Sequence, residues 1–95
     1  MKKVGDYGAT TYPSGQRAIN GRSYENANGF LVKLRNSATQ GVNVSARGDT
    51  DDHYTIIDLA PGETHPVMLD SIRSQGTSAE ANNQLVALLF SKEPN

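Results

Sequence analysis

Residues 71–90 read SIRSQGTSAEANNQLVALLF, and the fold of the chain turns on how the last six of them are read. Leu85 to Phe90 is the longest apolar run in the sequence, and polar residues flank it. It is far shorter than the roughly 20 residues a helix needs to cross a bilayer. It is also too short to be a stable helix on its own. It would have to end a helix begun at Thr77 or Ser78, where Thr77 and Glu80 have capping-box spacing. Asn82 and Asn83 interrupt that path, and the stretch has no amphipathic period. A continuous apolar run of this length reads instead as a strand buried on both faces, the central or closing strand of a small sheet. Leu85, Ala87 and Leu89 then face one way, and Val86, Leu88 and Phe90 the other. One set faces the core, and the second is covered by an N-terminal arm or a neighbouring subunit.

Working back from that strand, the sequence predicts four more. Phe30 to Arg35 places Phe30, Val32 and Leu34 on one face and Lys33 and Arg35 on the other. Val42, Val44 and Ala46 alternate with Asn43, Ser45 and Arg47, which predicts a second strand that pairs with the first as a hairpin or meander. His53 to Leu59 is a third, closed by Ala60-Pro61-Gly62, where proline and glycine suit the centre of a type II turn. Val67 to Ile72 is a fourth, with Val67, Leu69 and Ile72 inward and a bulge near Asp70 and Ser71. Residues 1–29 hold five glycines and three tyrosines but few aliphatics, and they read as an irregular arm with a short extended piece at Arg17-Ala18-Ile19. The expected fold is all-β, a small antiparallel sandwich or barrel over residues 30–95 with an extended N-terminal arm over 1–29.

A chain of 95 residues makes one domain with a modest core. It has no cysteine, which excludes disulfides, thiolate nucleophiles and Cys-based metal sites. Lys2 and Lys3 are followed by polar, glycine-rich residues, so no secretory leader is expected. The net charge of −1 hides an asymmetry: residues 1–47 carry seven basic and two acidic side chains, residues 48–95 two basic and eight acidic. Folding mixes the two halves in space, or else leaves a dipole that helps copies assemble. The basic residues are scattered without interleaved aromatics, so nucleic acid is not an expected partner. Nor is a membrane.

Few residues are arranged for chemistry. His53 follows Asp49, Asp51 and Asp52, whose oxygens suit calcium, but the run lacks the twelve-residue calcium loop and its closing glutamate, and a solvated turn is the better reading. His65 stands alone beside Pro66, which leaves no zinc spacing. Asp58 and Asp70 lie off the inward faces or near turns. The early glycines have neither the spacing nor the setting of a phosphate loop. No catalytic, cofactor or metal residue is therefore assigned. The tyrosines serve either as interface contacts or as packing for the arm. The expected interface residues are Tyr7, Tyr12, Arg17, Ile19, Tyr24, Leu88 and Phe90.

One set of short motifs runs the length of the chain. Tyr12-Pro13 leads into Arg17-Ala18-Ile19, and a glycine precedes the first strand. Later come Arg73-Ser74-Gln75-Gly76-Thr77-Ser78-Ala79 and a closing Leu85-Val86-Ala87-Leu88. This order resembles small tailed-phage virion proteins of the spike-base type, with Arg17, Ala18 and Ile19 matching an early motif and Gly76, Thr77 and Ala79 a late one. Ser78 departs from a second threonine, and Glu80 to Gln84 are inserted before the last strand. The resemblance implies an all-β virion component without catalytic residues. It also implies repeated copies, as a homo-oligomer with a trimer favoured over a dimer, and other virion proteins as partners. The expected function is thus structural, as a decoration, spike-base or minor tail protein. The alternative is a carbohydrate- or surface-binding β module with an exposed tyrosine platform drawn from Tyr7, Tyr12, Tyr24 or Tyr54. An enzyme is not expected.

Overall fold

The protein is seen in a computed structural model that describes residues 11–48 and 53–92, with side chains described over 15–48 and 53–90. Its strands are β1 (Thr11–Ile19), β2 (Tyr24–Leu34), β3 (Val42–Arg47), β4 (Thr55–Leu59), β5 (Leu69–Arg73) and β6 (Leu85–Lys92). Among the described residues a 3-10 turn, Ala79–Ala81, precedes β6. The strands form one six-stranded antiparallel sheet in the order β1-β6-β2-β5-β3-β4.

The apolar run is a strand, as its length predicts, and it lies inside the sheet. Leu85 is opposite Ile19 on one side and Leu34 on the other, and Ala87 is opposite Arg17 and Val32. Leu85 and Ala87 are fully buried, while Val86, Leu88 and Phe90 are half-buried. One face of the strand is thus buried within the chain as expected, and the other is the face whose cover was expected from the arm or a neighbouring subunit. The core side is closed, whereas the outer aliphatics shield one another only in part. The capping-box reading fails too. Ser78 is the cap of the 3-10 turn and makes no side-chain cap bond, and the Thr77 hydroxyl is used elsewhere.

Residues 11–29 are more regular than their composition suggests. Thr11 to Ile19 pairs with β6 along its whole length, and one extra residue, Ser14, bulges out between Pro13 and Gly15. β2 begins at Tyr24, so the expected boundary at 29/30 falls within a strand. Between Glu25, opposite Ser71, and Phe30, opposite Leu69, β2 takes five steps where β5 takes two. The irregularity expected in β5 falls at this point, since Leu69 and Ile72, three residues apart, both lie in the core, and the extra residues are on the facing strand. Asn28 N donates to Asn26 Oδ1 at 2.9 Å, and Gly29 has φ 85°, a conformation that glycine adopts without strain. Residues 1–10 and the Asp49–Asp52 loop lie outside the described residues.

Beyond this bend, Phe30 to Leu34 pair with β6 on one edge. On the other edge they meet the turn after β4: Leu34 N donates to Glu63 O, Gly62 N to Leu34 O and His65 N to Val32 O, at 2.8–3.1 Å. Pro61 and Gly62 occupy the centre of that turn as expected, with Glu63 N donating to Ala60 O at 2.9 Å and Gly62 at φ 85°. β2 and β3 are not neighbours, because β5 lies between them. Two strands flanking a third are only about 10 Å apart, a gap the Asn36–Gly41 connection spans easily.

All six strands contribute to one core cluster: Ile19, Phe30, Val32, Leu34, Val42, Val44, Ala46, Leu59, Leu69, Ile72, Leu85 and Ala87, joined by Ala81 of the 3-10 turn. Leu69 and Ile72 point inward as expected, but Val67 is 57% exposed because it precedes the strand, just after Pro66.

His65, held against β2, is half-buried, and burial pushes its pKa below the usual histidine value, with Glu63 opposing in part. The folded state thus favours neutral imidazole. Stability from this group is present above the unfolded pKa of about 6.5 and is lost as pH falls through the lower folded value. Denaturation midpoints measured from pH 8 to pH 4 should decline through that window, and the decline should be shallower in His65→Gln. An identical profile for the variant would assign the pH dependence to other groups.

Candidate functional site

Strand alternation sends Asn43, Ser45 and Arg47 of β3 away from the core, and after Leu69 the period of β5 shifts so that Ser71 and Arg73 lie on the same side as these. Ser71 lies between Glu25 of β2 and Arg47 of β3, and Arg73 lies beside Ser45. These residues would line an exposed polar face, yet Ser45 and Ser71 are 0% and 2% exposed. Two elements cover them. Tyr54, just before β4, reaches over β5, and its hydroxyl lies 2.7 Å from Ser71 Oγ. The loop after β5 folds over β3, where Ser45 N donates to Thr77 Oγ1 at 3.0 Å and that hydroxyl donates to Arg73 O at 2.6 Å. Gly76 sits so close to the Ser45 Cβ that an added side-chain carbon would lie 3.3 Å from it.

Two guanidinium groups flank the Tyr54 ring. Arg73 Cζ is 4.2 Å from the ring centroid and Arg47 Cζ is 5.1 Å away, within reach of a cation–π attraction. Their other contacts differ. Arg47 Nε donates to Asp70 Oδ1 at 3.3 Å, and this hydrogen bond is the main reason its pKa is raised. Arg73 Nε donates to the buried Ser45 hydroxyl at 3.1 Å and has no carboxylate partner among the described residues. The Arg47–Asp70 pair also joins the basic half of the sequence to the acidic half, so at this point folding mixes the two.

Beside Arg73 an open cleft of about 410 Å³ is lined by Ser23, Tyr24, Glu25, Tyr54, Ser71, Ile72, Arg73 and Ser74. The Tyr24 ring meets Phe30 edge-on at 4.9 Å, and its hydroxyl accepts from Asn26 Nδ2 at 3.2 Å. The β1–β2 turn closes one end of the cleft. It is tied down by Arg22 Nη1, which donates to Thr77 O at 2.8 Å, and by Gly21 N, which donates to Asn83 Oδ1 at 2.7 Å. A second hollow of about 300 Å³ lies on the opposite half of the sheet, between Gln16, Lys33, Arg35, Asn36, Ser37 and Val86. Arg35 Nε is buried there without a hydrogen-bond partner.

The residues expected to form an interface do not gather in one place. Leu88 and Phe90 share the outer face of β6, where Leu88 is flanked by Leu31 and Gln16. Arg17 is exposed on edge strand β1. Ile19 belongs to the core of the chain itself, at 1% exposure. Tyr24 is half-buried at the cleft. Tyr12 pairs with Ser91 through the backbone, but its side chain, like the whole of Tyr7, lies outside the described residues. The Tyr54–Arg73–Ser71 cluster was not legible in the sequence. The one signal was Arg47, Ser71 and Arg73 at outward positions of strands, which says nothing of a tyrosine folding over them. Among the described residues no group of three or more His, Asp or Glu side chains is placed to hold a metal ion. No helix among them is long and apolar enough to cross a membrane. No protein-family model matches the chain, and no curated protein or solved structure matches it either.

Proposed function

We propose that the chain is a structural component of a bacteriophage particle, a decoration, spike-base or minor tail protein that acts by protein–protein assembly. The observation behind this reading is the outer face of the β1-β6-β2 half, where Leu31, Val86, Leu88 and Phe90 stay half-exposed side by side. An apolar row of this kind favours coverage by another protein surface. The occupant in this reading is another copy of the chain, with the sheet folded at the β2 bend into a small sandwich. Contact runs face to face and not along the β1 edge, because Pro13 and the Ser14 bulge blunt that edge against strand addition. The motif order resembling spike-base virion proteins supports the same reading.

Leu88→Asp separates assembly from folding. Leu88 is only half-buried in the single chain, so the variant should stay folded at a cost of about 0.5–3 kcal/mol. The wild type should elute as an oligomer, a trimer by preference, in light-scattering chromatography, and Leu88→Asp as a 10.2 kDa monomer. Labelling within virions by electron microscopy tests the particle role. A wild-type monomer at high concentration would leave only assembly with other proteins, and absence of the chain from virions would overturn the reading.

The alternative, a carbohydrate- or surface-binding β module, has one observation in its favour: Tyr24 and Tyr54 both line the Arg73 cleft. They form no flat exposed platform, since the Tyr54 ring is stacked by guanidinium groups and Tyr24 packs on Phe30.

A further inference from the structure

We infer that the cleft beside Arg73 is a binding site for a carboxylate-bearing saccharide unit, such as a uronic acid. The inference deepens the surface-binding alternative and is independent of the assembly reading. It begins with the state of Arg73. Stacking on Tyr54 and the bond from Nε to the buried Ser45 hydroxyl hold the guanidinium in one orientation. Neither contact uses its two terminal nitrogens. A planar fork held in place beforehand, with no acidic partner among the described residues, matches a carboxylate and loses little conformational freedom on binding it. Arg47, stacked on the same ring, is already occupied by Asp70.

The rest of the cleft selects among carboxylates. Glu25 lines it together with Arg73, so the two formal charges cancel. A dianion such as phosphate would meet Glu25 unfavourably, whereas a monoanion that also carries hydroxyls can donate to it. Ser23 and Ser74 add exposed hydroxyls. The Tyr24 hydroxyl accepts from Asn26, which leaves its own proton to donate. Among the described lining residues the one aliphatic is Ile72, which is 1% exposed. A peptide terminus would therefore find no apolar pocket. Nor does β5 offer it a free edge, because Ser71 and Ile72 are paired with β2 on one side and β3 on the other. The volume lies at the small end of the range for ligand sites, which suits one or two sugar rings.

The test is a titration of the full chain followed by amide NMR, with glucuronate, glucose, acetate and a tri-alanine peptide as probes. Glucuronate should shift the amides of residues 23–25 and 71–74 and bind roughly tenfold or more tighter than glucose or acetate. Arg73→Gln should weaken glucuronate by roughly tenfold to a hundredfold, the loss of a charged hydrogen-bond pair. Because Arg73→Gln also loses the Tyr54 stack, Glu25→Gln is the second variant. It leaves Arg73's contacts intact and removes both a repulsion felt by any carboxylate and an acceptor that serves only the sugar hydroxyls, so the preference for glucuronate over acetate should narrow. Equal binding of acetate and glucuronate, or tighter binding of the peptide, would overturn the saccharide assignment. Equal binding of glucose and glucuronate would overturn the acidic assignment while sparing the carbohydrate reading. No shift with any probe would overturn both.

Discussion

Phe30→Ala is expected to leave the domain mostly unfolded near body temperature. The ring is fully buried where β2 leaves its bend, between Leu69 of β5 and Leu89 of β6, and it meets Tyr24 edge-on with planes at 79°. Truncating a buried phenylalanine costs about 3–5 kcal/mol, and losing the aromatic pair adds about 0.5–1.5 kcal/mol. Domains have about 5–15 kcal/mol in total, and one this small lies toward the lower end. Urea denaturation should show the midpoint falling by half or more. Leu88→Ala, on the half-exposed face, should lose much less. Equal losses at the two sites would contradict the division into a closed core face and an open outer face.

Deleting residues 1–19 should have an effect at least as large. It removes β1 and with it Ile19, and it strips one of the two partners from β6. The exposed edge would carry Leu85 and Ala87, so aggregation should accompany the loss of structure. Amide spectra should collapse to narrow dispersion, and a hydrophobic dye should bind. A deletion ending at Thr10 is the control, because the pairing from Thr11–Lys92 to Ile19–Leu85 stays complete. Should the longer deletion melt like the parent, β1 would be an appendage to the domain and not part of its cooperative unit.

The sheet was legible where alternation is clean. Phe30, Val32 and Leu34 and then Val42, Val44 and Ala46 repeat every second residue, and all six are buried. Leu85 and Ala87 were legible as one face of a strand. β1 was not, because the Ser14 bulge shifts its period and its aliphatic content is low. The first half of β2 was hidden by Asn26 to Gly29, which read as loop residues and do form a bend, but one inside a strand. The strand order was hidden as well. Which neighbour β5 takes depends on where Leu69 and Ile72 find space, and local pattern carries no trace of that. Ser45, Ser71 and Thr77 illustrate why the site was out of reach. Each is buried with a partner far along the chain, Ser45 N on the Thr77 hydroxyl and Tyr54 on the Ser71 hydroxyl, although Thr77 also donates to Arg73 O four residues away.

The place of β6 also governs how the protein can be made. β1 and β2 are synthesised early, yet they do not pair with each other; each waits for the same strand, which is encoded some 50 residues or more downstream. A nascent chain that has not reached Leu85 can pair β2 with β5, but β1 has no partner and Ile19, Val32 and Leu34 lack the strand they pack beside, a state open to chaperones and proteases. The β1-β6-β2 half is thus completed only when translation reaches β6, whereas β2, β5, β3 and β4 are neighbours without it, and the β3–β4 hairpin is the one sequence-adjacent strand pair in the sheet.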